Sequence, residues 1–305
     1  MQSDLFGRIR TLAASCNIAL DDVAIRITNH YWLTGSFIQG TGEGHAEAPD
    51  IEVQMQSNAS TETITTLVAA AMNASPAIAL LRTPLLNNTF ALYVNGRRRQ
   101  VAGVANSASG DAADLSRAYA RAPRPIDVNA RRDLIEKSGR VEQGMPEAAS
   151  PTVTNKLIRN VHGEGKPLGR DGMYAVDTWL GMPGTSHFRL VSDEGAAIAA
   201  PCGLALLSAG IAFCYMTQLS RYIENMKMNI RGVRLVQFNP YVAGSQATAE
   251  PIDTHLFLNG EAPEETHLQL LSIAARTCYL HAACKVATEP NLRIIHHGRD
   301  IPRAA

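Results

Sequence analysis

One long apolar stretch, residues 201–228, constrains the fold more than any other part of the sequence. Its large apolar side chains recur every three or four residues, at Leu204, Leu207, Ile211, Tyr215, Leu219, Tyr222 and Met226. This is the helical period, so one apolar stripe follows the whole stretch. Because its first half is weakly charged, we expect the helix at the centre of its domain, with the Cys214 thiol facing whatever packs there.

Length and charge narrow the class of protein. A chain of 305 residues that is 46% apolar is long enough for two globular domains or one large one. Acidic and basic residues balance at 28 each, so neither nucleic acid nor an anionic membrane is expected as a partner. Charged residues, asparagine and glycine interrupt every apolar run, and the first residues do not resemble an export signal. We therefore predict a cytoplasmic protein that does not span a membrane.

The cysteines argue against a disulfide scaffold and against a metal site. There are five, an odd number scattered through a large chain, and no two form a CxxC pair. Their spacing is not typical of zinc ligands. We expect reduced thiols, no metal and no cofactor.

The order of predicted elements divides the chain into three parts. Residues 1–105 predict a helix at 4–16, strands at 21–33, 51–56 and 90–96, and a helix at 61–81 that Ser60 caps. Residues 106–155 contain four prolines and predict a surface linker with one short helix at 131–139. Residues 156–305 predict strands at 157–165, 173–180 and 187–193 before the long helix, then strands at 232–242 and 251–260, a helix at 263–286 and a strand at 292–298.

An internal repeat follows from laying the two ends of the chain together. Residues 17–27 match 229–238, residues 51–81 match 254–286, and residues 90–96 match 292–298, always in the same order. The first copy is therefore predicted to be a truncated version of the second. It has Ala74, Ser75 and Pro76 where the second copy has Thr277 and Cys278, so chemistry that needs both thiols can exist only once.

Two cysteines stand on the two principal predicted helices of the second copy. Cys278 follows Cys214 by 64 positions, and helices packed side by side can bring two such thiols together. Free cysteines are also among the most buried residue types, so simple packing accounts for either one. His281, on the same helical face as Cys278, could assist a thiol or could simply pack. The residues alone leave these alternatives open.

Three sequence features in register carry a resemblance to a known family. They are the run LGRDG at 168–172, the stretch 201–214 and the run ARTCY at 275–279. In these, residues 156–305 resemble the OsmC/Ohr family, which includes osmotically inducible protein C and the organic hydroperoxide resistance protein. The resemblance implies an α+β fold, with antiparallel strands packed on two central helices. It also implies intertwined dimers, so we predict that the truncated first copy makes an internal pseudo-dimer; further homodimerisation stays open.

The resemblance also implies a thiol peroxidase, an antioxidant oxidoreductase. Cys214 would attack an organic hydroperoxide and become a sulfenic acid, Cys278 would resolve it to a disulfide, and a dithiol reductant would reopen the bond. Arg170 would lower the pKa of the Cys214 thiol, with Arg189 as a substitute. Bulky apolar hydroperoxides are favoured, because Leu204, Leu207, Ile211, Phe213 and Tyr215 are expected around the thiol.

The sequence departs from the family at one position of the proposed site. Family members have a glutamate at the start of the central helix that holds the arginine, whereas this chain has Leu204 and Ala205 there. Asp193 or Glu194, in the preceding loop, is the candidate replacement. Two alternatives to a peroxidase therefore remain: another cysteine-dependent enzyme, such as a hydrolase or lyase using Cys214, or a protein that binds a small apolar molecule without catalysis.

Overall fold

The computed structural model describes residues 1–37, 39–116, 133–142, 157–169, 172–195 and 199–301. Six helices lie in these ranges: α1 Gln2–Ser15, α2 Thr61–Asn73, α3 Pro76–Arg82, α4 Gly203–Asn225, α5 Glu264–Thr277 and α6 Tyr279–Lys285. The strands of the first part are β1 Asp22–Asn29, β2 Tyr31–Thr34, β3 Glu43–Ala46, β4 Asp50–Gln56, β5 Thr89–Val94 and β6 Arg97–Arg99. The strands that follow are β7 Ile135–Arg140, β8 Leu157–Ile158, β9 Val161–Pro167, β10 Met173–Leu180, β11 Ser186–Asp193, β12 Ile230–Phe238, β13 Tyr241–Val242, β14 Thr248–Ala249, β15 Asp253–Gly260, β16 Asn291–His296 and β17 Arg299–Ile301.

Of the four sheets in the described residues, the two largest form the two main apolar cores of this α+β protein. The larger sheet has the order β17-β16-β4-β1-β9-β10-β11-β7, and helices α1 and α2 cover its apolar face. The smaller sheet has the order β12-β15-β5-β6 and packs on α4 and α5. The two ends of the chain exchange strands, since β5 joins β15 and β16 joins β4. Both of these pairings are parallel and join the two halves of the chain, whereas the other strand pairs of the two sheets are antiparallel.

Helix α4 packs on the second core along one stripe, as its apolar period predicts, but its expected place at the centre of the domain is wrong: most of its residues are only partly buried or exposed, and Met226 at the end of the stripe is 44% exposed. Ile211, Tyr215 and Leu219 are fully buried along one stripe, while Phe213 on another face is 70% exposed. By length and composition alone α4 is apolar enough to cross a membrane, so the prediction that no stretch is long enough is wrong. A core helix passes the same test, and the buried stripe of α4 packs against α5.

The two long helices predicted at 61–81 and 263–286 are each broken in two. Ser60 caps α2 as predicted, accepting a hydrogen bond from Thr63 N–H, but the chain then bends by 73° between α2 and α3. Ser75, in extended backbone geometry, is the N-cap of α3, and Pro76 fills its first turn, where the missing N–H costs nothing. Cys278 interrupts the other helix in the same way and is the N-cap of α6. Periodicity cannot detect these breaks, because both halves keep their apolar faces.

Two parts of the predicted linker have a defined structure. The helix predicted at 131–139 is wrong: β7 extends β11 as an exposed edge strand, and residues 131–132 lie outside the described residues. Short polar segments form strands when a neighbouring edge offers its backbone hydrogen bonds, whatever their helical pattern. Residues 107–114 lie over the smaller sheet, where Ser107 and Ser109 donate to Asp253 and Arg234 donates to Asp114.

Candidate functional site

The two cysteines singled out by the sequence meet at the junction of three helices. Cys214 lies in the middle of α4, and Cys278 lies at the break between α5 and α6. Their Sγ atoms are 3.3 Å apart, with the Cys278 thiol donating to Cys214. Both are free thiols; Cys214 is partly exposed, whereas Cys278 is fully buried. The packing of α4 on α5 and α6 therefore leaves one residue of the pair partly exposed and buries the other.

The pair is electrostatically unequal. The hydrogen bond from the Cys278 thiol, and those from the backbone N–H groups of Leu280 and Tyr279, lower the pKa of Cys214 to about 7 against the opposing effect of burial. These two N–H groups belong to the first turn of α6, which has no intrahelical acceptor for them. Burial, with the neighbouring Cys214, raises the pKa of Cys278 well above its ordinary value. Cys214 is thus the thiolate of the pair and Cys278 the thiol.

His281 lies against the buried member of the pair. Its Nδ1 is 3.1 Å from Cys278 Sγ, and its ring contacts those of Phe90 and Tyr215 at centroid distances of 5.8 and 5.2 Å. Burial lowers the pKa of His281 to about 4, so the imidazole is neutral. Its Nε2 has no hydrogen-bond partner in the described part of the chain. The sequence identified His281 but gave no reason to prefer a role over packing.

Aromatic rings border the thiols more than the aliphatic side chains expected from the sequence. Tyr31 of β2 packs on Tyr279, with ring centroids 5.7 Å apart, and burial together with the Cys214 charge raises the pKa of Tyr31. Phe213 is mostly exposed, which corrects its predicted place beside the thiol. Leu207 and Ile211 instead belong to a separate apolar cluster around Cys284, whose pKa burial raises to about 12.

The glycine-rich stretch at 35–50 lets β3 pack closely against the break between α5 and α6. A Cβ on Gly44 of β3 would lie 3.1 Å from the carbonyl oxygen of Thr277, the residue before Cys278. A larger residue would push β3 and the helix break apart by a few tenths of an ångström, so glycine favours this close approach. Neither Tyr31 nor Gly44 could be assigned from the sequence, because their strands are remote from both cysteines along the chain.

The predicted arginines are not among the groups described at the thiols. Arg170 lies outside the described residues. Arg189 is in β11 of the larger sheet, in register with Asp177 and Glu136. Arg159 and Arg221 come closer: burial raises the pKa of Tyr279, and the positive charges of these two arginines oppose that rise. In the described residues, the Cys214 thiolate is stabilised by the thiol and the two N–H groups.

The two candidate acids, Asp193 and Glu194, accept hydrogen bonds from backbone N–H groups. Asp193, which is buried, accepts hydrogen bonds from the N–H groups of Gly195 and Ala199. Glu194 accepts from Gly203 N–H at the first turn of α4, and burial raises its pKa. Both carboxylates therefore shape the start of the central helix.

A second cluster with the same bonding pattern lies in the first half of the chain. Asp4 of α1 accepts a hydrogen bond from Ser75 Oγ at 2.5 Å and another from Ala77 N–H at 3.3 Å. Ser75 is the N-cap of α3, as Cys278 is of α6, and Ala77 occupies the position in α3 that Leu280 occupies in α6. A buried carboxylate thus stands where Cys214 stands in the other half.

Other sequence candidates do not form a site. In the described ranges no group of three histidine, cysteine or acidic residues could hold a metal ion. Cys202 is the exposed N-cap of α4. His296 and His297 share one acceptor: Nε2 of each lies within 3.0 Å of the Ser57 carbonyl oxygen, because His297 adopts a positive φ of 50° in a turn.

The fold and site together define an α+β protein with one asymmetric thiol pair. No protein-family model matches the chain, and no curated protein is significantly similar to it. One similar solved structure is an OsmC-like hydroperoxide resistance protein from Jannaschia sp. CCS1, at 21% identity and a TM-score of 0.31, covering 46% of this chain and 96% of that chain. A TM-score this low leaves fold and function to be argued from the residues of this chain.

The thiolate assignment predicts the pH dependence of alkylation. An acid with a depressed pKa gains its charged form at lower pH, so iodoacetamide should react with Cys214 at half its maximal rate near pH 7. The measurement is peptide mass spectrometry on samples quenched from pH 5 to 10. Cys278→Ala, which removes the thiol donor, should move the midpoint upward. A wild-type midpoint as high as that of an ordinary cysteine, at about pH 8.5, would contradict the assignment.

Proposed function

We propose that this protein is a thiol peroxidase that reduces organic hydroperoxides through Cys214 and Cys278. The observation that carries the proposal is the 3.3 Å contact between a thiolate-forming Cys214, partly open to solvent, and a buried Cys278 thiol. Peroxide reduction needs a thiolate nucleophile and a second thiol close enough to resolve the product. Both requirements are met here, because the two sulfur atoms already lie so close that a disulfide can form without a large movement of the backbone.

The proposed reaction has three steps. The Cys214 thiolate attacks the terminal peroxide oxygen, which keeps its proton, so Cys214 becomes a sulfenic acid as the O–O bond breaks; the alkoxide takes a proton from water and leaves as the alcohol. Cys278 then attacks Cys214 Sγ, the S–O bond breaks, and water leaves as the disulfide forms. A dithiol reductant reopens the disulfide by thiol exchange. Arg170, proposed from the family resemblance, would stabilise the departing oxygen.

The surroundings of Cys214 favour organic over inorganic peroxides. Tyr31, Phe90, Tyr215 and Tyr279 surround the thiol pair with aromatic rings, which gain more from an apolar substrate than from hydrogen peroxide. The proposed partners are therefore a small hydrophobic hydroperoxide and a dithiol reductant, with no role for nucleic acid or membrane. A cytoplasmic location, where such reductants are kept, belongs to the same proposal.

The finer fold assignment, an OsmC-like repeat that makes an internal pseudo-dimer, is part of the proposal too. The reciprocal strand exchange supports it, since β5 beside β15 mirrors β16 beside β4. Turn geometry supports it as well: Asn95 and His297 have φ of 48° and 50° before a glycine in matching hairpins. We propose residues 1–105 as the truncated copy, 106–155 as the linker and 156–305 as the complete copy.

The pseudo-symmetry adds support for an anionic Cys214. In the first half the equivalent position holds the acidic residue Asp4, and the donors around it are of the same kind. The helix N-cap site is therefore built to receive a negative charge. Ser75 cannot form a disulfide, so only the second half would be catalytic.

A cysteine hydrolase is the less favoured reading of the same pocket. Such an enzyme needs a base in contact with its nucleophile. The histidine at this site, His281, contacts Cys278 instead of Cys214. The arrangement therefore suits a resolving thiol better than an activated acyl-transfer nucleophile.

Turnover tests the proposal. With dithiothreitol as reductant, the wild-type protein should consume cumene hydroperoxide, and should consume hydrogen peroxide more slowly, in a coupled peroxide assay. Cys284→Ser removes a buried thiol outside the pair and should leave turnover unchanged. No consumption of cumene hydroperoxide above the rate without protein would rule out the peroxidase.

A further inference from the structure

We propose that His281 is a catalytic residue that donates a hydrogen bond from Nδ1–H to Cys278 Sγ and so assists this thiol when it attacks Cys214. The inference rests on the proposed function and goes beyond it, because it assigns the resolving step its own stabilising group. Its basis is the 3.1 Å distance between His281 Nδ1 and Cys278 Sγ.

The hydrogen-bonding pattern decides which atom carries the proton. The Cys278 proton points at Cys214 Sγ, so a hydrogen bond between Cys278 and His281 must use a proton from the imidazole. Nε2 lacks a partner in the described part of the chain, and a buried N–H without an acceptor is rarer than a buried unpaired acceptor. Both arguments place the proton of the neutral ring on Nδ1.

The other half of the chain shows that the fold does not require a histidine at this position. Ile78 occupies in α3 the place that His281 occupies in α6, three residues after the N-cap, and it is fully buried. The Asp4–Ser75 cluster keeps its hydrogen bonds beside this aliphatic side chain. Burying an imidazole costs free energy that an isoleucine would not cost. The hydrogen bond that His281 donates to Cys278 accounts for that cost.

The step proceeds without any further base. The Cys278 proton passes to the hydroxyl oxygen of the Cys214 sulfenic acid, the S–O bond breaks, water leaves, and the new S–S bond forms. Sulfur on Cys278 gains negative charge as its proton leaves, and the fixed N–H donor stabilises that charge. Because burial keeps His281 neutral above about pH 4, its contribution is constant through the physiological range.

The test separates the resolving step from the first attack. The protein is oxidised in one arm with cumene hydroperoxide and in the other with diamide, an azodicarboxamide that forms an adduct on Cys214 which Cys278 then displaces. Stopped samples analysed by mass give the rate of Cys214 modification and the rate of disulfide formation separately.

His281→Ile copies the other half of the chain, and His281→Asn places an amide N–H near the position of Nδ1. We expect His281→Ile to slow disulfide formation about 10- to 100-fold in both arms, the loss of a hydrogen bond to a charged group, with Cys214 modification unchanged. His281→Asn should recover most of the rate, whereas His281→Gln, whose amide reaches toward Nε2, should not. His267→Ile, at a buried histidine in α5 that bonds Pro263, controls for folding.

The outcomes keep the two proposals apart. Wild-type disulfide formation with diamide but not with cumene hydroperoxide would rule out the peroxidase proposal. The diamide arm would still measure the effect of His281 on the resolving step. A His281→Ile variant that resolves the diamide adduct at the wild-type rate would overturn the role of His281. A wild-type resolving rate that changes with pH through a midpoint near 6.5 would also overturn this role, because the imidazole would then act by gaining or losing a proton.

Discussion

Replacing Cys214 with serine is expected to lower the rate of organic hydroperoxide reduction by at least about 1,000-fold, because removing a catalytic nucleophile costs several orders of magnitude. A serine hydroxyl in this place has no thiolate form and cannot become a sulfenic acid. The measurement is peroxide consumption with dithiothreitol as reductant. Activity within tenfold of wild type would show that Cys214 is not the nucleophile.

Two variants on the same helix control this result. Cys202→Ser changes the exposed N-cap of α4 and should keep wild-type activity. Cys214→Asp copies Asp4 from the first half, so it should remain folded, with a thermal midpoint near that of wild type, while being inactive. A Cys214→Asp protein that fails to fold would argue against the equivalence of the two clusters.

Replacing Asp4 with alanine is expected to lower the free energy of unfolding by about 3 kcal/mol or more, because it leaves several buried donors without an acceptor. Asp4 is only 2% exposed and accepts from Ser75 Oγ, Ala77 N–H and Arg8. Urea denaturation followed by circular dichroism measures the effect.

The matched control is an exposed ion pair. Asp300 pairs with Arg293, each 55% exposed, and Asp300→Ala should change stability by no more than about 1 kcal/mol. Asp4→Cys should be less damaging than Asp4→Ala, since the second half accepts a thiol among the same donors. Equal losses for Asp4→Ala and Asp300→Ala would contradict the account of Asp4 as a buried hydrogen-bond acceptor at the start of α3.

The helices that carry the site could be predicted from the sequence because their apolar periods are long and regular. Leu204 to Met226 defines α4, and the pairing of Cys214 with Cys278 follows from two adjacent helices once they are packed. The breaks at Ser75 and Cys278 could not be predicted, since an N-cap inside an apolar period leaves the period intact. The break at Cys278 nevertheless supplies the N–H groups that lower the pKa of Cys214.

Other parts of the site depend on tertiary contacts that no local pattern contains. Tyr31 reaches the thiols from β2. Asp4 bonds Ser75 from α1, and the pattern of that amphipathic helix does not predict this contact. The strand β7 was predicted as a helix, because a polar edge strand takes its stability from its neighbour β11 rather than from its own residues. The parallel β4–β16 and β5–β15 pairs likewise join segments more than 160 residues apart.

Disulfide mapping after a single oxidation tests the central claim most directly. The purified protein is treated with one equivalent of cumene hydroperoxide, its remaining thiols are alkylated, and its peptides are analysed by mass without reduction. The account predicts one disulfide, between Cys214 and Cys278, that forms in the wild-type protein and is absent in Cys214→Ser. Recovery of Cys214 and Cys278 as free, alkylated thiols after the treatment would contradict it.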